Sequence, residues 1–111
     1  MLDANVCFLI AETFTSDAIL QQIPARTYRK AYCYVRSITR AEWSEASRNG
    51  LNPALVLEMF RYDYTGEELV NVGGVEIGGV VTGGETYAIY RTYISSGDTI
   101  ELYLEKRQGA L

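Results

Sequence analysis

Histidine is absent from this sequence, and with it go the commonest general base and the commonest metal ligand. Two cysteines remain as nucleophiles, but a reactive thiolate needs a basic neighbour, and neither Val6-Cys7-Phe8 nor Tyr32-Cys33-Tyr34 supplies one. Both cysteines fall in segments that read as strands, so two reduced, buried thiols are expected rather than a disulfide. Glu67 and Glu68 are adjacent; in a strand they point to opposite faces and cannot share a substrate. Glu42 and Glu45 share a helix face, but Glu42 is claimed by a cap. Six glycines fall within Val72–Gly84, as three Gly-Gly pairs five residues apart. No Lys-Ser/Thr follows them and no helix opens there, so a phosphate loop is the weaker reading. These residues predict a protein that is not an enzyme and takes no cofactor and no metal.

Binding chemistry fares better. Nine tyrosines stand against three phenylalanines, and a side chain with an apolar face and a polar tip suits wet interfaces, although strands favour tyrosine in any case. Tyr62 and Tyr64, read as sharing a strand face, are either a base-stacking pair or barrel surface and subunit contact. The net charge of −4 opposes a nucleic-acid surface, which needs clustered cations; only Arg26, Arg29 and Lys30 cluster. No apolar run approaches a membrane span. The N-terminal stretch lacks the basic region of a secretory signal and carries Asp3 and Glu12, so residence in a cytosol is expected.

The elements that must position these residues are mostly strands. With 111 residues, 48% of them apolar and 22% charged, the chain reads as a single globular domain, 1–111. A first strand is predicted over 5–14 and a turn over 15–22. A long extended segment follows over 23–38, with Ala31, Cys33 and Val35 on one face and Tyr28, Tyr32 and Tyr34 on the other. Both faces read as apolar enough to be covered. Thr39-Arg40-Ala41-Glu42 is a capping box, and Gly50 a left-handed stop. Together they predict one short helix anchored by Ala41, Trp43 and Ala46. Strands are predicted over 54–60 and 68–72, then an extended glycine-rich arm, about 72–84, with tight turns at the glycine pairs.

The last predicted element is a hairpin over 86–107. Its second strand alternates, with Ile100, Leu102 and Leu104 facing one way. Its first does not: Tyr87, Ile89, Tyr90, Tyr93 and Ile94 populate both faces around Arg91. Arg91 is either an interface residue or the cross-strand partner of Glu101 or Glu105. The fold class is all-β, a small six-stranded barrel, SH3-like or sandwich-like, with one short helix between the second and third strands.

In order and spacing, the segments "SITRAEWSEASRNGLNP" (37–53), "FRYDYTGEE" (60–68), "YAIYRTY" (87–93) and "DTIELYLEKRQG" (98–109) resemble the head-tail joining proteins (head closure, or stopper) of long-tailed bacteriophages. The resemblance spans nearly the whole chain and rests on no single motif. It implies a virion β-barrel assembled in the bacterial host cytoplasm as a dodecameric homo-oligomeric ring, with a monomer compatible with dilute solution. The ring would lie below the portal and adaptor proteins, retain packaged DNA without sequence specificity, and offer a docking surface to the tail or a tail-completion protein. It also implies a gating excursion at about 39–53, with Trp43, Arg48 and Asn49 as channel candidates. Covered barrel faces in a ring make Tyr62, Tyr64, Arg91 and Tyr93 the subunit-interface candidates. The glycine-rich arm departs from the family pattern, which passes from "GEE" to the next strand in fewer residues. The competing reading is a monomeric small β-barrel binding a peptide or oligonucleotide.

Overall fold

A computed structural model describes residues 5–16 and 22–106. Its strands are β1 (Asn5–Ser16), β2 (Gln22–Ser37), β3 (Pro53–Phe60), β4 (Leu69–Val72), β5 (Val75–Ile77), β6 (Val80–Thr82), β7 (Glu85–Ile94) and β8 (Thr99–Glu105). One helix, α1 (Arg40–Arg48), sits between β2 and β3, and a single 3-10 turn, Arg61–Asp63, follows β3. The turn expected over 15–22 lies, from 17 to 21, outside the described residues. Six strands close a barrel in the order β1-β2-β3-β8-β7-β4, with each adjacent pair antiparallel. The fold is therefore all-β with a helix between the second and third strands, as the sequence predicts. Two short strands beyond the expected six, β5 and β6, form a separate hairpin.

The barrel forms because its strands alternate. Cys7 and Leu9 of β1, Ala31 and Cys33 of β2, Leu57 and Met59 of β3, Val70 of β4 and Ile100, Leu102 and Leu104 of β8 fill one buried cluster. Those that share a strand lie two residues apart, which puts them all on the inner side of the pleat. Cys7 and Cys33 are both buried and free. The hydrogen bond to Cys33, together with burial, pushes the Cys7 thiol up, away from the thiolate that chemistry would need.

The broken alternation expected of β7 has its cause in the register with β8, which shifts between Ile89 and Arg91. This bulge turns Ile89 inward against Leu104, while Arg91 faces outward opposite Tyr103. An inserted residue accounts for the broken alternation within the chain. Within one chain the outer face of β2 is open, with Tyr32 and Tyr34 exposed; their hydroxyl tips and ring faces suit a wet surface.

Candidate functional site

The chemistry of this surface begins with α1. Thr39 accepts a hydrogen bond from the Glu42 amide at 3.2 Å, and the Glu42 carboxylate accepts one from the Thr39 amide at 3.0 Å, the reciprocal capping box that the sequence predicts. The other end closes by two backbone bonds, Gly50 N–H to the Ser47 carbonyl and Leu51 N–H to the Ala46 carbonyl, both 3.1 Å. Gly50 has φ of +77°, the left-handed conformation this closure requires.

The helix is fastened to the barrel by one guanidinium. Arg36, on the outer face of β2, donates through both terminal nitrogens to the two Glu42 oxygens at 3.0 Å. It also donates through Nε and Nη2 to Glu101 of β8 at 3.1 and 3.0 Å. A planar fork can hold two carboxylates at once, which an ammonium could not do with the same geometry. The Arg36 guanidinium beside Glu42 holds that carboxyl down at about 2, and the two carboxylates raise Arg36 in turn. Below this knot lies Tyr103, buried although it is on the outer face, with Arg91 stacked over its ring at 5.1 Å. Burial, and then the Glu42 carboxylate, push its phenol up.

Between α1 and β7–β8 runs a groove of about 300 Å³, walled by Glu42, Glu45, Asn49, Tyr90, Arg91 and Tyr103. Among the described residues Arg91 pairs with neither expected carboxylate: Arg36 holds Glu101, and Glu105 accepts from the Asn52 amide at 3.4 Å. The partner of Arg91 is the Tyr103 ring. Arg36, Glu101 and Tyr103 are not legible as a group in the sequence because they meet only through the register β2-β3-β8, which aligns Arg36, Val56 and Tyr103 in one row. The one local signal is an arginine in the outward phase of β2.

The channel candidates occupy different surroundings. Trp43 is 52% exposed and does not anchor the helix; Ala41 is exposed as well, and Ala46 alone is buried. The side toward the groove carries Glu42, Glu45, Ala46 and Asn49, of which Ala46 is buried, Glu42 half-buried and Asn49 exposed, and Trp43 falls on its margin. Arg48 is exposed, while Asn49 turns its side-chain amide back to the Glu45 carbonyl at 3.1 Å.

The interface candidates also divide. β3 ends at Phe60, so Tyr62 and Tyr64 do not share a strand face. Tyr62 points outward, edge-on to Phe60 with 5.2 Å between ring centroids and with Arg61 over its ring. Tyr64 packs against its own core and donates to the Glu67 carbonyl at 2.8 Å. Tyr93 and Arg91 are exposed. Tyr93, Glu101, Glu58 and Tyr34 form one cross-strand row on the outer sheet, flanked by Phe60 and Tyr62.

The segment after β3 seals one end of the barrel. Glu67 is buried, yet Arg29 donates to it at 2.7 Å, and the Thr65 amide and hydroxyl donate at 2.9 and 2.7 Å. Burial pushes this carboxyl up, but the Thr65 and Arg29 hydrogen bonds outweigh it, and the net direction is down. Arg29 also donates to the Asp63 carbonyl. Every Glu67 side-chain oxygen is thus engaged within the fold, which makes it a structural carboxylate. Among the described residues no cluster of Cys, Asp and Glu is arranged to hold a metal, and no helix is long and apolar enough to cross a membrane.

Three comparisons, with protein-family models, with curated proteins and with solved structures, found no match to this chain.

Proposed function

We propose that the protein is a ring-forming structural component of a phage head-tail connector, which closes the DNA channel and offers a surface to the tail. The observation that carries this reading is where the apolar surface lies. One barrel buries a complete core, yet Tyr32, Tyr34, Phe60, Tyr62 and Tyr93 stay exposed on its outer side, Ile94 at the end of β7 on the opposite face, and Val75, Ile77 and Val80 on a separate hairpin. Exposed apolar area on this scale marks interaction surface, and a subunit with neighbours on two sides has a use for it. The order of the sequence segments that resemble head closure proteins supports the same reading. Of the channel candidates, Trp43 and Arg48 are exposed on the helical excursion and are assigned to the channel, whereas Asn49, also exposed, has its amide tied to the Glu45 carbonyl.

The test replaces Trp43 and Arg48 together by alanine. Neither side chain contributes to the barrel core, so circular dichroism of the variant should match wild type. Particles built with it should package DNA and then lose it before tails attach, read as the fraction of full heads after incubation. Heads that stay full with the variant incorporated would remove the excursion from the channel. Wild-type chain that forms no ring on portal–adaptor complexes in electron micrographs would favour the monomeric binding module instead.

A further inference from the structure

The glycine-rich hairpin stands clear of the barrel. β5 and β6 pair only with each other, through Val75–Thr82, Glu76–Val81 and Ile77–Val80. This register gathers Val75, Ile77, Val80 and Thr82 on one face, all exposed, with Ile77 at 71%. Glu76 and Val81 share the other. Gly78 and Gly79, at φ +60° and +83°, make the two-residue turn that needs positive φ at both positions. An isolated two-stranded hairpin is marginal in water, and the cross-strand pairs on its exposed face contribute only about 0.2–1 kcal/mol each.

A second feature is also unfinished. β4 pairs with β7 only from Glu85 to Ala88, and one further backbone bond joins Ile89 N–H to the Glu68 carbonyl at 2.9 Å. From Tyr90 to Ile94 the edge of β7 away from β8 has no backbone partner among the described residues. Tyr93 and Ile94 on this stretch are exposed. An open, apolar edge is a template for an added strand.

We propose that the β5–β6 arm of one copy adds, through β5, to the open β7 edge of the next copy. This rests on the ring reading and names the contact that would build the ring. The two surfaces match in period and in charge. β5 alternates Val75, Glu76, Ile77; β7 alternates Arg91, Thr92, Tyr93, Ile94. An added strand with Glu76 on the Arg91–Tyr93 side puts Val75 and Ile77 on the Thr92–Ile94 side. Glu76 has no cation partner among the described residues, and Arg91 has no carboxylate partner among them. Each supplies what the other lacks.

The occupant must be another copy. The arm springs from Glu85 at one end of β7, continuing β4 away from the open stretch, which begins at Tyr90 about 17 Å along the strand and has Arg91 about 20 Å along it, at about 3.3 Å per residue. Three-residue strands extend only about 10 Å, so no arm reaches its own edge. A contact between two different patches on opposite ends of a subunit is head-to-tail. Repeated, it gives a ring or a filament, not a two-fold dimer.

The experiment is disulfide trapping. The double variant Glu76→Cys with Arg91→Cys, mildly oxidised at high protein concentration, should give a ladder of covalent oligomers beyond the dimer. Either single variant should stop at dimers. Cys7 and Cys33 are fully buried and do not compete. The ladder should form at least about tenfold faster than in Glu76→Cys with Lys30→Cys, because a real contact holds its thiols at high effective concentration. A ladder no faster than this control overturns the contact. Ring imaging separates failure of the contact from failure of the ring. Glu76→Arg and Arg91→Glu, each folded by circular dichroism, should each lose rings on portal–adaptor complexes, and their combination should regain them. Rings unaffected by either swap would overturn the arm contact while leaving the ring itself standing.

Discussion

The helical excursion between β2 and β3 is held along its length: a cap at each end, Ala46 buried, and Arg36 bridging Glu42 of the helix to Glu101 of the barrel. The glycine-rich hairpin between β4 and β7 is held only at its root. There Asn71, 4% exposed, donates to the Gly83 carbonyl at 3.1 Å and the Thr86 hydroxyl at 3.2 Å, and accepts from the Gly74 amide at 2.9 Å. Both segments leave the same barrel, and both keep apolar side chains in solvent. The difference is that the helix keeps its orientation when alone, whereas the hairpin has a fixed base and a free end. A segment tied at one point is suited to reaching a neighbour. A segment tied throughout is suited to presenting a fixed surface.

The largest effects should come from the root. At Gly84, φ is +65°, and a Cβ would collide with the Gly74 nitrogen and lie 2.6 Å from the Val72 carbonyl oxygen. Left-handed backbone alone costs an ordinary residue about 1–2 kcal/mol. With backbone on two sides, Gly84→Ala should lose about 3 kcal/mol or more. Asn71→Ala leaves the Gly74 amide and the Gly83 carbonyl without their partner and should cost about 2–4 kcal/mol. Denaturant midpoints measure both, and hydrogen exchange should rise in β5–β6 and not in α1. A loss under about 0.5 kcal/mol for Asn71→Ala would mean the arm is not clamped at its root.

The helix should respond to a different residue. Arg36→Met removes the bridge and leaves Glu42 and Glu101 facing each other, at a cost of about 1–3 kcal/mol for partly exposed, charge-assisted bonds. Exchange should then accelerate across Arg40–Arg48 while β5–β6 is unchanged. If both segments loosen together, they are one unit and the contrast between them fails.

Acid should weaken the helix attachment as well. Glu42 is ionised in the folded chain down to about pH 2, whereas in the unfolded chain it takes up its proton near about 4.3. A depressed carboxyl contributes stability that is complete above the unfolded value and is lost as pH falls toward the folded one. After solvent screening the contribution should be of order 1–2 kcal/mol. Glu42→Gln should flatten the acid limb of stability between about pH 4.5 and 2. Since Glu67 is also depressed, a residual slope should survive in that variant and shrink further with Glu67→Gln.

Much of this is legible in the sequence wherever the physics is local. The capping box needs four consecutive residues, the left-handed stop needs Gly50, and β8 declares its buried face by alternation alone. The glycine pairs announce turns, and the arm they delimit is there. What the sequence hides is everything set by register. Arg36 and Glu101 are 65 residues apart and meet only because β3 lies between their strands. Glu42 looks fully occupied by its cap, yet one carboxylate oxygen accepts from both the Thr39 amide and Arg36. Asn71 looks like an ordinary strand residue, and Glu101, one of the two carboxylates expected for Arg91, is held by Arg36, a competitor that no spacing rule identifies.

Trp43 gives the smallest effect and the sharpest test of which helix face is packed. In the sequence it is the natural anchor, the one large apolar residue on a short polar helix. In the fold it lies on the margin, half exposed, while the small Ala46 takes the buried position because the Arg36 bridge sets the helix close against the barrel. A side chain with about half its surface in water loses less when truncated than a buried one, so Trp43→Ala should change stability by no more than about 1 kcal/mol. As the only tryptophan in the chain, it also reports on itself. Its fluorescence should lie near that of the free side chain and shift to the blue when the ring assembles on its template. A loss above about 1.5 kcal/mol would return Trp43 to the role of anchor, and it would no longer be free to face a channel.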